Sequence, residues 1–396
     1  MSKFVLGYHY HFSAVQRVNQ LFMPGYQGRF VDSLAQFSEE IVCYLHTPCP
    51  ENDNYGDYRI SSNNVRYINI GYHKSVPYRT IHNKKYLKII EKNVDNVNCL
   101  IVRSPTALAP FFESPKLPPI VFLIVGDMLA GINDLPQKWW RKELIRLYWN
   151  WNIFNQDKIA KKTLTFVNSH LLYEKYKDKF NYLEETHTTT LNLTDFYFRN
   201  DSFTNSQINI LYTGRLDTSK GLFDILDLLK YLIEKSEQVI FNFAGWESNE
   251  KGVLKKIMEF AKIEGLEDNI IYHGYKSVGP ELNELYRNAD LFINASKSTE
   301  GFPRTIWEAM ANSCPVIATK VGSIPFYLED KNNAILADPN NVKSLIDSYY
   351  YLKENIDERR NIISNAYKLA KENTLENRTR EMMQKIKVFL SGKNRL

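Results

Sequence analysis

Short apolar runs alternate with longer amphipathic segments along almost the whole chain, and few folds accommodate that alternation. Runs of Val, Ile, Leu and Phe too short for helices read as strands buried on both faces. The stretches between them read as the helices that cover those faces. Strands and helices that alternate in this way build parallel sheets, so the expected class is α/β, doubly wound. In the first half the strands fall at Lys3–Gly7, Glu40–Leu45, Cys99–Arg103, Ile120–Val125 and Thr163–Asn168. The polar stretch Phe196–Gln207 follows neither period and reads as a linker. Beyond it, strands fall at Ile208–Thr213, Val239–Ala244, Ile270–His273, Leu291–Asn294 and Pro315–Thr319, with a helix from Leu222 to Lys235. Met382, Ile386 and Phe389 share one helical face in a last segment after Asn373. A length of 396 residues suits two domains of roughly 190 residues better than one. The expected divisions are 1–200, 206–372 and a terminal helix over 373–396.

Composition narrows the class further. The four cysteines (Cys43, Cys49, Cys99 and Cys314) form no CxxC pair, which favours reduced thiols in a cytosolic setting over a disulfide frame or a zinc site. No apolar run approaches the roughly 20 residues that cross a bilayer, and no signal-peptide pattern opens the chain. The net charge of +5 is mild, and no nucleic-acid recognition motif accompanies it. Two basic, aromatic-rich stretches stand out, 72–88 and 139–162. Each reads either as a solvated helix face with aromatic packing behind it, or as a peripheral contact with anionic lipid head groups.

In open parallel sheets ligands gather beyond the carboxyl ends of the strands. After Ile208–Thr213 the chain reads Gly214-Arg215-Leu216-Asp217-Thr218-Ser219-Lys220-Gly221. Gly214 permits a tight turn beneath a ligand, Arg215 and Lys220 bring two cations, and Gly221 opens a helix near its anion-attracting end. That set suits a diphosphate; a surface loop with two solvated cations is an equal reading. After Leu291–Asn294 comes Ser296 to Ala311, with Glu300, Gly301, Phe302, Pro303, Arg304, Thr305 and Glu308. Pro303 suits the first turn of a helix, which leaves Gly301 and Phe302 as amides at the helix entrance. Glu300 then stands before the helix and Glu308 inside it, each able to accept hydrogen bonds from a diol.

At these residues the sequence resembles the retaining glycosyltransferases of family GT4. GRLDTSKG and EGFPRTIWEAMA are similar to that family's GR-L-x-x-x-KG segment and EX7E motif, and FAGWE, IIYHGY, LYRNADLFINAS and CPVIATKVGSIPFYLED agree in order. The resemblance covers Ile208 to Asp338 strongly and the first half weakly. It implies a GT-B fold, two Rossmann-like domains facing across a cleft, with a nucleotide-diphosphate sugar as co-substrate held mainly by the second. By the same analogy Arg215 and Lys220 neutralise the diphosphate and Glu300 contacts the transferred sugar. Glu308 binds the ribose, and Gly245 and Tyr275 line the nucleotide pocket. The first domain would take a glycan or lipid-linked acceptor, and the last helix would cross back onto it.

The first half departs from the family where many relatives carry a His-Asp pair. Here Ile120–Val125 is followed by Gly126 and Asp127, so Gly126 stands where the His is expected. Gly25 and Gly28 read either as a glycine loop that approaches the donor phosphates or as an ordinary turn before a helix. His9 and His11, after the first strand, read as packing or solvent residues. The chain contains no Asp-x-Asp triplet to suggest a metal on the diphosphate, and no other cofactor is expected. The implied activity is sugar transfer with retention, in bacterial surface polysaccharide assembly at the cytoplasmic membrane face. A non-catalytic nucleotide-sugar-binding subunit and a GT-B nucleotide-sugar epimerase are the alternatives.

Overall fold

The computed structural model describes residues 4–17, 20–48, 56–133, 135, 137–187, 189–247, 250–298 and 301–393. Two compact units divide the chain, one of residues 1–188 with 375–396 and one of 189–374. In chain order the first unit contains β1 (Val5–Ser13), β2 (Val15–Arg17), β3 (Gln20–Met23), α1 (Gly25–Ala35), β4 (Glu40–Thr47), β5 (Tyr58–Arg59) and β6 (Val65–Tyr72). It continues with α2 (Val76–Ile81), α3 (Asn83–Glu91), β7 (Cys99–Ser104), β8 (Ile120–Ile124), α4 (Trp139–Ala160), β9 (Leu164–Val167), α5 (His170–Tyr176) and β10 (Leu183–Glu185). Seven strands form a parallel sheet in the order β10-β9-β8-β7-β1-β4-β6, while β2, β3 and β5 make a small antiparallel sheet. From β1 the order runs one way through β4 and β6 and the other way through β7 to β10, so it reverses between β1 and β7.

The second unit contains β11 (Ile208–Leu216), α6 (Leu222–Glu234), β12 (Val239–Glu247), α7 (Val253–Glu264), β13 (Ile270–Tyr272), α8 (Pro280–Asn288) and β14 (Leu291–Asn294). After these come α9 (Arg304–Ala311), β15 (Val316–Thr319), α10 (Ile324–Tyr327), β16 (Ile335–Ala337), α11 (Val342–Glu354) and α12 (Ile356–Glu372). Its parallel sheet has the order β13-β12-β11-β14-β15-β16, reversing between β11 and β14. This is the Rossmann arrangement, in which the crevice at the reversal is the expected ligand site. The helices form where the pattern asks for them. α6 buries Leu222, Ile225, Leu226, Leu228, Leu229 and Leu232 against the sheet. Each such side chain contributes about 2 kcal/mol before conformational entropy is subtracted.

Three expectations about organisation change. Residues 189–200, expected with the first domain, pack in the second unit, and the stretch expected as a linker is held against it. Tyr197 N–H donates to the Ala311 carbonyl at 2.9 Å, and Asp201 pairs with Arg359 and Arg360 at 2.6 and 3.0 Å. Polar composition here serves hydrogen bonds to exposed strand and helix ends rather than solvent. β6, β10 and β16 also escaped the apolar-run criterion, because β6 is a half-exposed edge and the other two have three residues each. The last helix, α13 (Leu375–Lys393), belongs to the first unit. Met382, Met383 and Ile386 enter its core with Leu6, Tyr8 and Val31, and the Ser33 and Thr379 hydroxyls lie 2.7 Å apart.

Candidate functional site

At the reversal in the second sheet, β11 ends in Gly214, Arg215 and Leu216, and a single turn over Thr218–Lys220 leads into α6. Asp217 shapes that turn by accepting from the Ser219 amide at 2.9 Å and hydroxyl at 2.7 Å. Gly221 has φ +69°, and a Cβ there would stand 1.9 Å from the Ala295 carbonyl oxygen beyond β14. Only glycine lets these two loops touch. Their contact is completed by the Lys297 amide donating to the Ser219 carbonyl at 2.8 Å and by Lys297 pairing with Asp224 at 2.6 Å. Arg215 is exposed and Lys220 half-buried. Burial, reinforced by the Arg215 charge, lowers the Lys220 ammonium to about 8. Most Lys220 side chains still carry charge at pH 7, and an arriving anion would strengthen it.

Beyond β14, α9 begins at Arg304. Pro303 takes the cap position with extended ψ of 123°, one place earlier than the first-turn position expected of it. Gly301 is exposed, Phe302 packs on Trp307 and Tyr327 with ring centroids 4.4 and 5.1 Å away, and Arg304 and Thr305 are half-buried. Glu308 is 4 % exposed on the inner face of α9. Its two oxygens accept from the Thr190 hydroxyl at 2.7 Å and the Tyr286 hydroxyl at 2.9 Å, and Tyr286 reaches Thr213 at 2.5 Å. Burial, and then the Glu308 charge, holds the Tyr286 phenol well above its ordinary pKa, so it remains a donor. The carboxylate is thus oriented by two hydroxyls and keeps lone pairs for a further diol. Glu300 lies outside the described residues.

On the other side of β11, Gly245 pairs with Gly214, and a Cβ at Gly245 would stand 1.7 Å from the Gly214 carbonyl oxygen. Its neighbour Trp246 and Tyr275 meet edge to face at 5.4 Å, both about half exposed. Trp246 was not among the expected site residues, although it sits in the FAGWE segment. Nor were Asn294 and Ser296, at 4 % and 1 % exposure, whose Oδ1 and Oγ lack a hydrogen-bond partner. Their position at and just after the end of a strand at the reversal was the available signal. Among the described residues no three His, Cys, Asp or Glu side chains gather as metal ligands.

Gly25 and Gly28 lie inside α1, not in a loop, and Gly28 is a packing residue: a Cβ there would stand 2.2 Å from the Tyr58 ring. The Gly25 amide donates to Asp57 at 2.8 Å. Gly126 has open space around it, and Asp127 accepts from the Leu129 amide and pairs with Lys175 at 2.6 Å.

Residues 195–369 match the family described as glycosyl transferases group 1. The chain is 32% identical over 134 residues to mannosylfructose-phosphate synthase of Agrobacterium fabrum, covering 33% of this chain and 29% of that one. It is 32% identical over 152 residues to the protein CapJ of Staphylococcus aureus, covering 37% of each. The matches therefore span about a third of these relatives' own lengths. Among solved structures, Anabaena Alr3699/HepE in complex with UDP superposes with a TM-score of 0.73 at 14% identity, over 97% of this chain and 100% of that one. A likeness of that extent shows the fold. Residues 195–369 are a group 1 glycosyl transferase domain, in a chain that has the two Rossmann-like domains of the GT-B fold.

Proposed function

We propose that the chain is a retaining glycosyltransferase that moves a sugar from a nucleotide-diphosphate donor to a hydroxyl of a glycan or lipid-linked acceptor. The observation that carries this reading is the reversal in the second sheet. There a glycine-lined backbone, two cations and an oriented buried carboxylate stand within one group 1 glycosyl transferase domain. Breaking the bond from the anomeric carbon to the diphosphate oxygen leaves negative charge on the diphosphate. Arg215 and Lys220 stabilise that charge from fixed positions, which is electrostatic preorganisation. Glu308, held by Thr190 and Tyr286, accepts from the ribose hydroxyls. The edge-on pair Trp246 and Tyr275 flanks the base, with Gly245 beside it. Glu300 at the helix entrance takes the transferred sugar, with Gly301, Phe302 and the residues Pro303 to Thr305 around it. Retention and independence of a divalent metal come from the family resemblance and from the two cations that neutralise the diphosphate. The UDP bound by the Anabaena protein makes UDP the first nucleotide to test.

The biological setting we assign is surface polysaccharide assembly at the cytoplasmic membrane face. On α4, Trp140, Leu144, Leu147, Trp151 and Phe154 repeat at helical spacing and are all exposed, from 42% to 64%. Lys138, Arg141 and Lys142 stand at the start of this stripe, and Thr80 of α2 meets Tyr148 of α4 at 2.7 Å, so the two basic aromatic stretches adjoin. Arg79 is the exception in its stretch, being buried. An apolar stripe with basic flanks suits an anionic lipid surface. Among the described residues no helix is long and apolar enough to cross a membrane.

The test is calorimetric titration with UDP, GDP, CDP and ADP in EDTA, with wild type and Glu308→Ala. One nucleotide should bind and raise the melting temperature, and Glu308→Ala should weaken it about tenfold. Unchanged affinity in the variant removes Glu308 from the ribose. Binding only after Mn²⁺ or Mg²⁺ is added overturns metal independence.

A further inference from the structure

The reversal in the first sheet, between β1 and β7, carries a second cluster of charge that the donor site does not use. His9 and His11 leave the carboxyl half of β1, His46 that of β4 and Arg103 that of β7, while His73 follows β6 and Arg79 comes from α2. His11 joins the group. Its carbonyl accepts from Arg79 Nη1 at 3.0 Å and from His73 Nε2 at 3.0 Å, and its Nδ1 accepts from Arg103 Nη1 at 3.4 Å. The imidazoles of His46 and His73 are 5.5 Å apart, and those of His9 and His46 are 6.4 Å apart.

Arg79 is 5% exposed, yet neither it nor Arg103 pairs with a carboxylate among the described residues. The remaining contacts of Arg103 are faces of aromatic rings, Tyr10 at 5.7 Å and Tyr26 at 6.0 Å. Arg79 Nε and both ring nitrogens of His9 are buried without a hydrogen-bond partner, as is His46 Nε2. A charged side chain is almost never buried without a counter-charge, because desolvation is costly and nothing repays it. The histidines do not add positive charge. Burial, and next the Arg79 guanidinium, lowers His9 to about 3 and His73 to about 4; burial and His9 lower His46 to about 2. Neutral His9, with neither ring nitrogen partnered, has an N–H to offer an oxygen atom, whereas His46 Nδ1 and His73 Nε2 already donate to the Gly71 and His11 carbonyls. Arg103, Tyr26 and His73 remain partly exposed, so the cluster opens to solvent.

We propose that Arg79 and Arg103, assembled on His11 at this reversal, bind an oxyanion, a phosphate or a carboxylate, carried by the substrate that accepts the sugar. The anion supplies the counter-charge that the chain withholds, and the guanidinium forks match the paired oxygen atoms that phosphate and carboxylate share. His9 adds a hydrogen bond once oxygen atoms are present. Assigning the anion to the acceptor rests on the glycosyltransferase reading. The existence of the anion site does not.

The experiment is isothermal calorimetry on the full chain at constant ionic strength, titrating inorganic phosphate and, in parallel, glucuronate, with glucose as the neutral control. Wild type is compared with Arg103→Met, Arg79→Met and Arg215→Met, each checked for an unchanged circular dichroism spectrum. At least one anion should bind wild type and Arg215→Met alike, glucose should not, and Arg103→Met should weaken the anion about tenfold or more. Preference for phosphate would indicate a phosphorylated acceptor, and preference for glucuronate an acidic sugar. Arg103 is half-exposed, so its variant decides the matter even if Arg79→Met fails to fold. Three results overturn the inference: no binding of either anion, binding unchanged by Arg103→Met, or binding lost only with Arg215→Met. The last would place the anion at the donor diphosphate site and leave the transferase reading standing. Failure of every nucleotide to bind, with anion binding intact, would do the reverse.

Discussion

The two sheets share a strand order and a reversal point but line that point with opposite materials. At the second, Gly214, Gly221 and Gly245 bring backbone close to backbone, Lys220 stands in the field of Asp217, and Lys297 pairs with Asp224. At the first, bulky rings crowd together, and among the described residues the two guanidinium groups pair with no carboxylate. A glycine-lined edge admits a ligand to the main chain, where amides and a helix start serve any diphosphate. A ring-lined edge recognises through side chains, which differ from one chain to the next. The difference teaches which half is generic in its chemistry and which half is particular to this protein.

Four changes would break or sharpen that contrast. The largest effect should come from Gly221→Ala, which forces a Cβ against the Ala295 carbonyl at a left-handed φ. We expect a loss of about 3 kcal/mol or more in the second unit's unfolding by calorimetry, since a methyl group here must move a backbone loop. Lys220→Met should leave the fold intact and lower kcat by about a hundredfold, the scale of losing one preorganised charge at a leaving group. A fall of less than threefold in a transfer assay would free Lys220 from the diphosphate.

The third concerns acid. His9, His46 and His73 have folded values depressed below the unfolded 6.5, chiefly by burial. Unfolded histidines therefore take up protons that the folded ones refuse. The stability these groups contribute is complete above pH 6.5 and is lost progressively as pH falls from there, toward about 4 for His73, about 3 for His9 and about 2 for His46. Because the rings repel one another's protons, the losses are not additive; about 2 kcal/mol between pH 6.5 and 5 is expected, in the first unit's transition. A first-unit transition that is flat across this range would contradict the burial.

The smallest effect comes from Asp157 on α4, raised to about 6 by burial against the pull of Lys179 and Lys175, with Oδ1 unpartnered. Here the folded form prefers the proton, so stability declines as pH rises from about 4 to 6. Asp157→Asn should stabilise the first unit by about 1 kcal/mol at pH 7, once partial solvent screening is allowed for. At pH 3.5 the variant and wild type should melt together.

Much of the second unit was legible in advance. Its strands are compact apolar runs between glycine turns, and its cations and carboxylates occur in short local segments, so spacing alone brings Arg215 near Lys220. What spacing does not show is how Glu308 is held. Thr190 is 118 residues away and Tyr286 22 residues away, and both converge on the carboxylate because the strand order sets β11 beside β14 and α8 near α9. The first unit was harder to read. Tyr72 to Lys88 read either as a solvated basic face or as a contact with anionic lipid, but Arg79 turns inward to the His11 carbonyl, 68 residues away in sequence. Gly25 and Gly28, which read either as a ligand loop or as a turn before a helix, lie at the start of a helix in which Gly28 packs on Tyr58.

By itself the sequence determined two parallel sheets, the glycine turns after their strands and the order in which charges appear along the second half. Those properties depend on neighbours within a few residues, through side-chain alternation, helical period and backbone freedom. Tertiary structure alone decided that four histidines and two arginines, from four elements of the first unit and the residue after β6, share one strand edge, and that among the described residues no carboxylate pairs with the two arginines. The physical reason is that a parallel sheet sets side by side strands that are far apart in sequence. Which side chains meet at its edge follows from strand order, and no local periodicity records that order.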